Sequence, residues 1–224
     1  MTRALFIAGT DTGIGKTHAA CAVIHALRGT GQSVCGMKPV ASGCVDTAQG
    51  LRNDDALSLQ AASSPMPAYE DINPVSLREP LSPHLAAAHD GVTIALPPLH
   101  AAFRALCARY DNVVVEGVGG WRVPLAPGLL ASDIPKAWGL PVVLVVGMRL
   151  GCLNHAVLSA EAIVADGCML AGWIGNCIDP DMAAFEENIA TLRTLLPAPC
   201  WGILPHGVPP ERASGLLAQA VQPL

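Results

Sequence analysis

The chain has 224 residues, 51% of them hydrophobic, with a formal net charge of −5 and an isoelectric point near 5.7. That length buries a sizeable core without disulfide support. The acidic balance excludes a general attraction to nucleic acid or to an anionic membrane, while leaving room for a basic pocket that takes small anions.

In chain order, an apolar segment over 4–8 predicts the first strand, and it runs into GTDTGIGKT at 9–17. Glycines there let backbone N–H groups approach phosphate oxygens, Lys16 supplies a mobile positive charge, and the Thr17 hydroxyl can ligate the magnesium that accompanies a nucleotide. Five residues separate Gly9 from Gly15, one more than in the common phosphate-binding loop. The alanine-rich segment 16–28 predicts a helix whose positive end faces those phosphates. A second strand over 33–38 ends in Lys38, placed to neutralise a transferring phosphoryl group or an anionic substrate. Asp54 and Asp55 open a predicted helix over 55–62, either as caps or as metal ligands.

The stretch 63–98 holds seven prolines and predicts loops, with a short helix near 84–88. A helix over 98–110 then leads into a strand over Asn112–Glu116, whose terminal carboxylate is followed by Gly117, Gly119 and Gly120. Glu116 there suits Mg²⁺, or serves as a hydrogen-bonded strand cap. A strand over 141–147 passes through Met148, Arg149 and Leu150 to Gly151, Cys152, Leu153 and Asn154, with a helix over 154–165. Free N–H groups at that helix start suit a carboxylate, while Asn154 reads first as an ordinary N-cap. A strand over 169–175 precedes Asn176 and Cys177, a helix covers 182–196, and a strand over 200–204 precedes Pro205, His206 and Gly207. Both of these loops lie where a nucleotide base would rest, and the Asn176 amide can pair with an adenine edge. A last helix is predicted over 210–220.

Short apolar strands alternate with longer helices throughout, without a repeat or a linker. The prediction is one α/β domain over 1–224: a doubly wound, mostly parallel sheet flanked by helices, P-loop NTPase-like, with ligands beyond the carboxyl ends of the strands. The eight cysteines contain no C-x-x-C pair, the seven histidines no H-E-x-x-H, and the longest apolar run, 140–148, is too short to cross a bilayer. A soluble cytoplasmic protein with reduced thiols is the expectation.

The segments GTDTGIGKT at 9–17, KPVASG at 38–43, GLRNDDAL at 50–57, EPLSPHLAA at 79–87, VEGVGGW at 115–121, PVVLVVGMRLGCLNHA at 141–156 and AGWIGN at 171–176 together resemble the dethiobiotin synthetase family. The resemblance runs along almost the whole length, and the long Gly9 to Gly15 spacing is the family's own. It implies an ATP- and Mg²⁺-dependent ligase that joins CO₂ to the two amino groups of 7,8-diaminononanoate, through a carbamate and a carbamic-phosphoric anhydride, to close the ureido ring of dethiobiotin.

Carried over residue by residue, the resemblance implies Thr17, Asp55 and Glu116 as metal ligands, Lys38, Lys16 and Thr12 as catalytic residues, and Ser42 and Gly119 as substrate contacts. Gly13, Ile14, Gly15, Lys16 and Thr17 would hold phosphates, with Gly117, Val118 and Gly119 beside the nucleotide. Asn176, Cys177, Pro205, His206 and Gly207 would surround adenine, with Glu211 near the ribose or base. Gly151, Cys152, Leu153 and Asn154 would receive the substrate carboxylate from the second subunit of a homodimer. Gly13 stands where some relatives carry an acid. A nucleotide-switched partner protein of the partitioning type would show an extra lysine early in the loop, which Thr10, Asp11 and Thr12 lack. An amide-forming enzyme acting on a corrinoid would add a glutamine-hydrolysing domain, for which this reading leaves no chain.

Overall fold

The computed structural model describes residues 2–221. Its centre is a sheet of six strands in the spatial order Val34–Met37, Asn112–Glu116, Arg3–Gly9, Val142–Met148, Leu170–Cys177 and Cys200–Leu204. Every pairing in it is parallel. The strands are apolar on both faces because both faces are covered. Leu5 and Ile7 of the central strand join the core beneath the helix Lys16–Arg28, while Phe6 and Ala8 join the opposite core. The helices Leu96–Cys107, Cys152–Ala165 and Phe185–Leu195 cover that opposite side.

Arg3–Gly9 lies at the switch of the winding. Its neighbour Asn112–Glu116 is reached on one side and Val142–Met148 on the other, so the connections part above its carboxyl end and leave a crevice there.

Several boundaries differ from the sequence expectation for local reasons. The helix predicted over 55–62 is Asp54–Ala62, and its cap is Asn53, whose side chain accepts the Asp55 and Ala56 N–H groups. Neither Asp54 nor Asp55 is therefore the cap. Asn154 is not a cap either. The helix predicted from 154 begins at Cys152, with Gly151 as its N-cap at φ 96° and no side-chain cap bond. Helix Leu96–Cys107 starts earlier than predicted because Pro97 and Pro98 fall in its first turn, where a missing N–H costs nothing. Strand Leu170–Cys177 extends past 175, so Asn176 and Cys177 are strand residues rather than loop residues. The helix predicted over 210–220 stops at Ala213 and continues as a 3-10 turn, Ser214–Leu217; the Ser214 hydroxyl bonds back to the Glu211 carbonyl there.

Three two-stranded ribbons and the short helices Tyr69–Ile72 and Asp133–Trp138 carry too few residues to show a period in the sequence. Among the described residues no helix is long and apolar enough to cross a membrane.

One close approach ties the sheet to the loop above it. A Cβ added at Gly147 would stand 2.6 Å from Cγ2 and 2.7 Å from Cβ of Ile14, atoms too near the backbone to swing aside. Gly147→Ala is expected to lower stability by about 1–3 kcal/mol, the usual cost of overpacking, and to weaken nucleotide binding by lifting the loop. Chemical denaturation and nucleotide titration check both effects; a parental midpoint would mean the contact is slack.

Candidate active site

The loop after the central strand places Lys16 with little solvent exposure, its ammonium donating to the Asp11 carbonyl at 2.8 Å. Gly9 makes room for its stem, since a Cβ there would meet Lys16 Cδ at 2.7 Å. Burial, with the like charge of Lys38 second, lowers the Lys16 ammonium to about 8 against the opposing pull of Glu116, Asp55 and Asp11.

Lys38, only 3% exposed, is not a solvated surface lysine. Its ammonium donates to Glu116 Oε1 at 2.6 Å, to Asp55 Oδ2 at 2.8 Å and to the Gly117 carbonyl at 3.2 Å, so its three protons all find acceptors. Burial lowers its pKa, yet the two carboxylates outweigh burial and hold it above the ordinary lysine range. Glu116 is 1% exposed, and burial pushes its carboxyl upward against the pull of Lys38. Burial likewise works against ionisation of Asp55, but Lys38 holds that carboxyl below its usual value. Thr17 donates its hydroxyl to Glu116 Oε1 at 2.9 Å, while Glu116 Oε2 is buried with no partner. Hydroxyl and carboxylate oxygens converging beside an unpartnered buried carboxylate oxygen form the donor set that a hard divalent cation takes.

These groups open onto a cleft of about 620 Å³. Thr12, Gly13, Gly15, Lys16 and Thr17 form one wall; Ser42, Asp55, Glu116, Val118 and Gly119 complete it. Pro80, Leu81, Ser82, Pro83, Asn53 and Val123 also line it, although sequence reasoning gave them no role. A proline-rich turn leading into the helix Pro83–Asp90 was the available signal for the first four.

Behind the wall, Tyr69 accepts the Asn53 N–H at 2.8 Å and donates to Asn73 Oδ1 at 2.8 Å, and Asn73 donates to the Lys38 carbonyl at 2.7 Å. This buried relay fixes the backbone that carries Lys38.

A second cleft, of about 490 Å³, meets the first at Gly13 and is lined by His18, Asn176, Cys177, Pro205, His206 and Gly207 among others. The Asn176 amide donates to the Ile14 carbonyl at 2.9 Å, which ties the end of its strand to the phosphate loop. Ile14 offers that loop only its backbone, for its side chain is buried against Gly147. Gly117 lies outside both linings, its carbonyl turned to Lys38. Glu211, exposed on the short helix Pro210–Ala213, and the segment Gly151, Cys152, Leu153 and Asn154 also stand outside them. Cys152 is buried and Asn154 is exposed.

A parallel sheet whose central strand feeds a phosphate loop, with a buried lysine and an acidic strand end beside it, defines a P-loop nucleotide-dependent protein. Solved structures share the fold. The septum site-determining protein MinD complexed with Mg-ADP, from Pyrococcus horikoshii, gives a TM-score of 0.60 at 15% identity over 99% of this chain and 93% of its own. Chloroplast FtsY from Physcomitrella patens gives 0.53 at 19% identity, over 100% and 66%. A family model described as an AAA domain matches residues 3–209. The ATP-dependent dethiobiotin synthetase BioD of Xylella fastidiosa (strain 9a5c) is 56% identical over 220 residues, which is 98% of this chain and 97% of that one. Its counterpart from Xanthomonas oryzae pv. oryzae (strain PXO99A) is 55% identical over 219 residues, 98% and 97% of the two chains. The chain belongs to the ATP-dependent dethiobiotin synthetase family, whose members are ligases that form C–N bonds.

The Asn176 geometry is testable without ligand. Asn176→Leu leaves the Ile14 carbonyl without its side-chain donor and is expected to cost about 1–3 kcal/mol in the nucleotide-free protein. Thermal melting in the absence of ATP measures this; a parental melting temperature would confine Asn176 to contacts with a bound base.

Proposed function

We infer that this ATP-dependent ligase of biotin biosynthesis closes the ureido ring of dethiobiotin in the cleft over Lys38 and Glu116. One observation carries the reading: a buried ammonium shared between two carboxylates, facing a phosphate loop, with one carboxylate oxygen left unpaired. The 56% identity of the Xylella protein over nearly the full chain supports it. One domain over 1–224 would hold the machinery, in the cytoplasm.

In this reading ATP lies along the phosphate loop, with Gly13, Gly15, Lys16 and Thr17 around its phosphates and its base in the second cleft by Asn176, Cys177, Pro205, His206 and Gly207. Ile14 contributes backbone only, and Glu211 lies toward the ribose side. Thr17, Asp55 and Glu116 would hold Mg²⁺, which when bound supplies charge neutralisation at the phosphates.

One amine of 7,8-diaminononanoate takes up CO₂ and loses a proton, giving an anionic carbamate near Thr12, Ser42 and Gly119, where Lys38 offsets its charge. A carbamate oxygen attacks the γ-phosphorus and ADP leaves. The second amine then attacks the carbonyl carbon of the mixed anhydride, phosphate departs with the carbonyl–oxygen bond, and the amine proton is lost to water. Lys16 and Lys38 orient and stabilise charge, and the protein supplies no nucleophile.

The carboxylate at the far end of the substrate goes to Gly151, Cys152, Leu153 and Asn154 of the second subunit in a homodimer. That this segment lies outside both clefts of its own chain supports the assignment.

Replacing Thr17 with Val, or Glu116 with Gln, removes an oxygen donor or its charge, and should raise the Mg²⁺ concentration needed for half-maximal phosphate release. Asp55→Asn is expected to do the same, whereas Asp54→Asn should not. An unchanged midpoint in both Thr17→Val and Glu116→Gln removes the metal assignment.

Lys38→Ala should cut ATP-dependent incorporation of labelled bicarbonate, with diaminononanoate supplied, by about 10²-fold or more. Mixed and reassembled with an equally inactive Asn154→Leu chain, it should recover roughly a quarter of parental activity, because random pairing leaves one intact site in each heterodimer. No recovery despite proven exchange would put both residues in one chain's site.

A further inference from the structure

We propose that Arg149 is a positioning residue whose ion pair with Asp11 couples the phosphate loop to the segment that enters the helix Cys152–Ala165. The guanidinium Nη2 stands 2.6 Å from Asp11 Oδ2. The other Asp11 oxygen accepts the Thr12 N–H at 2.7 Å, and the Asp11 carbonyl accepts the Lys16 ammonium at 2.8 Å. One residue at the entrance of the loop is thus tied to a proposed substrate contact, to the phosphate lysine and to Arg149. On its own side, Arg149 accepts the Cys152 N–H with its carbonyl at 3.0 Å, closing the turn that contains Gly151. Neither Arg149 nor Asp11 lines either of the two clefts described above.

Both side chains are partly exposed, at 43% and 45%, so the pair contributes little to global stability. Its consequence is geometric. A phosphate that draws the Lys16 ammonium away releases the Asp11 carbonyl, and Arg149 then becomes the side chain that holds Asp11 in place. Occupancy of the phosphate loop and the shape of the 149–154 turn are therefore linked. This inference rests on the reading that Gly151 to Asn154 receive the diamino-acid carboxylate; since they do so for the other subunit, the linkage crosses the dimer.

The test uses the full-length protein and titration calorimetry. Affinity for 7,8-diaminononanoate is measured with and without Mg²⁺ and the β,γ-methylene analogue of ATP, and the ratio of the two dissociation constants is taken. In the parent the ratio should differ from one by about three- to fivefold, the range a single partly exposed ion pair can transmit. Arg149→Met and Asp11→Asn should each bring it close to one, the double variant should add nothing, and Arg149→Lys should retain part of it.

A variant that merely loosens the fold weakens both affinities and leaves the ratio at its parental value; that result in either single variant overturns the proposal. A parental ratio of one overturns it as well. Asn154→Leu, measured alongside, isolates the underlying reading: parental affinity in that variant sinks the carboxylate assignment, while the ratio still reports on Arg149.

Discussion

The cleft is organised around one ammonium removed from water. Desolvating Lys38 and Glu116 costs several kcal/mol per ion in general, and only good geometry and further hydrogen bonds offset it. The site meets that demand with two carboxylates and a carbonyl around Lys38, while the Thr17 hydroxyl shares Glu116 Oε1. What is not met is Glu116 Oε2, a buried acceptor without a donor. Leaving such a group unsatisfied costs about 1–3 kcal/mol or more, which a ligand entering the cleft can relieve. One ammonium is shared between two carboxylates, and one of those carboxylates keeps an unpaired oxygen, an arrangement suited to gaining a cation.

Sheet register brings these groups together. Met37 pairs with Val115, so the next residue on each strand sets Lys38 beside Glu116; Glu116 itself pairs with Ile7, two residues before the phosphate loop. Because all the strands are parallel, each delivers its last side chain to the same rim. An antiparallel neighbour would send its carboxyl end to the other side and leave Lys38 unpaired. The Asn53, Tyr69 and Asn73 relay then holds the Lys38 backbone from behind, fixing the ammonium at the end of a long flexible stem through the chain that carries it.

The six strands were legible because short apolar segments alternate with longer helix-compatible ones along the chain. Lys38 and Glu116 were legible as chemistry because a charge at the end of an apolar strand must be accommodated there, and Lys16 because it closes the glycine-bearing loop at 9–17. The supporting residues gave no comparable signal. Asn53, Tyr69 and Asn73 sit among other polar loop residues, and only the tertiary fold separates a buried relay from a solvated turn. Asn176 reads as a loop residue until strand Leu170–Cys177 is seen to extend beneath Ile14. Arg149 and Asp11 lie 138 positions apart, beyond the reach of any local pattern. The misplaced helix start near Asn154 has a plain cause: Asn is a common cap, whereas here Gly151 opens the helix in a left-handed conformation without side-chain help.

Lys16 shows how the loop meets its ligand. Its pKa near 8, set first by burial and then by the charge of Lys38, leaves the ammonium less firmly protonated than a lysine in water. Phosphate oxygens favour the charged form, so binding and protonation reinforce each other: the sites that attract Lys16 are also the ones that restore its charge. Lys38 behaves differently, since its two carboxylates outweigh burial and hold it charged. In the proposed reading the two lysines divide the work by environment rather than by residue type, Lys16 taking the nucleotide and Lys38 the anionic substrate.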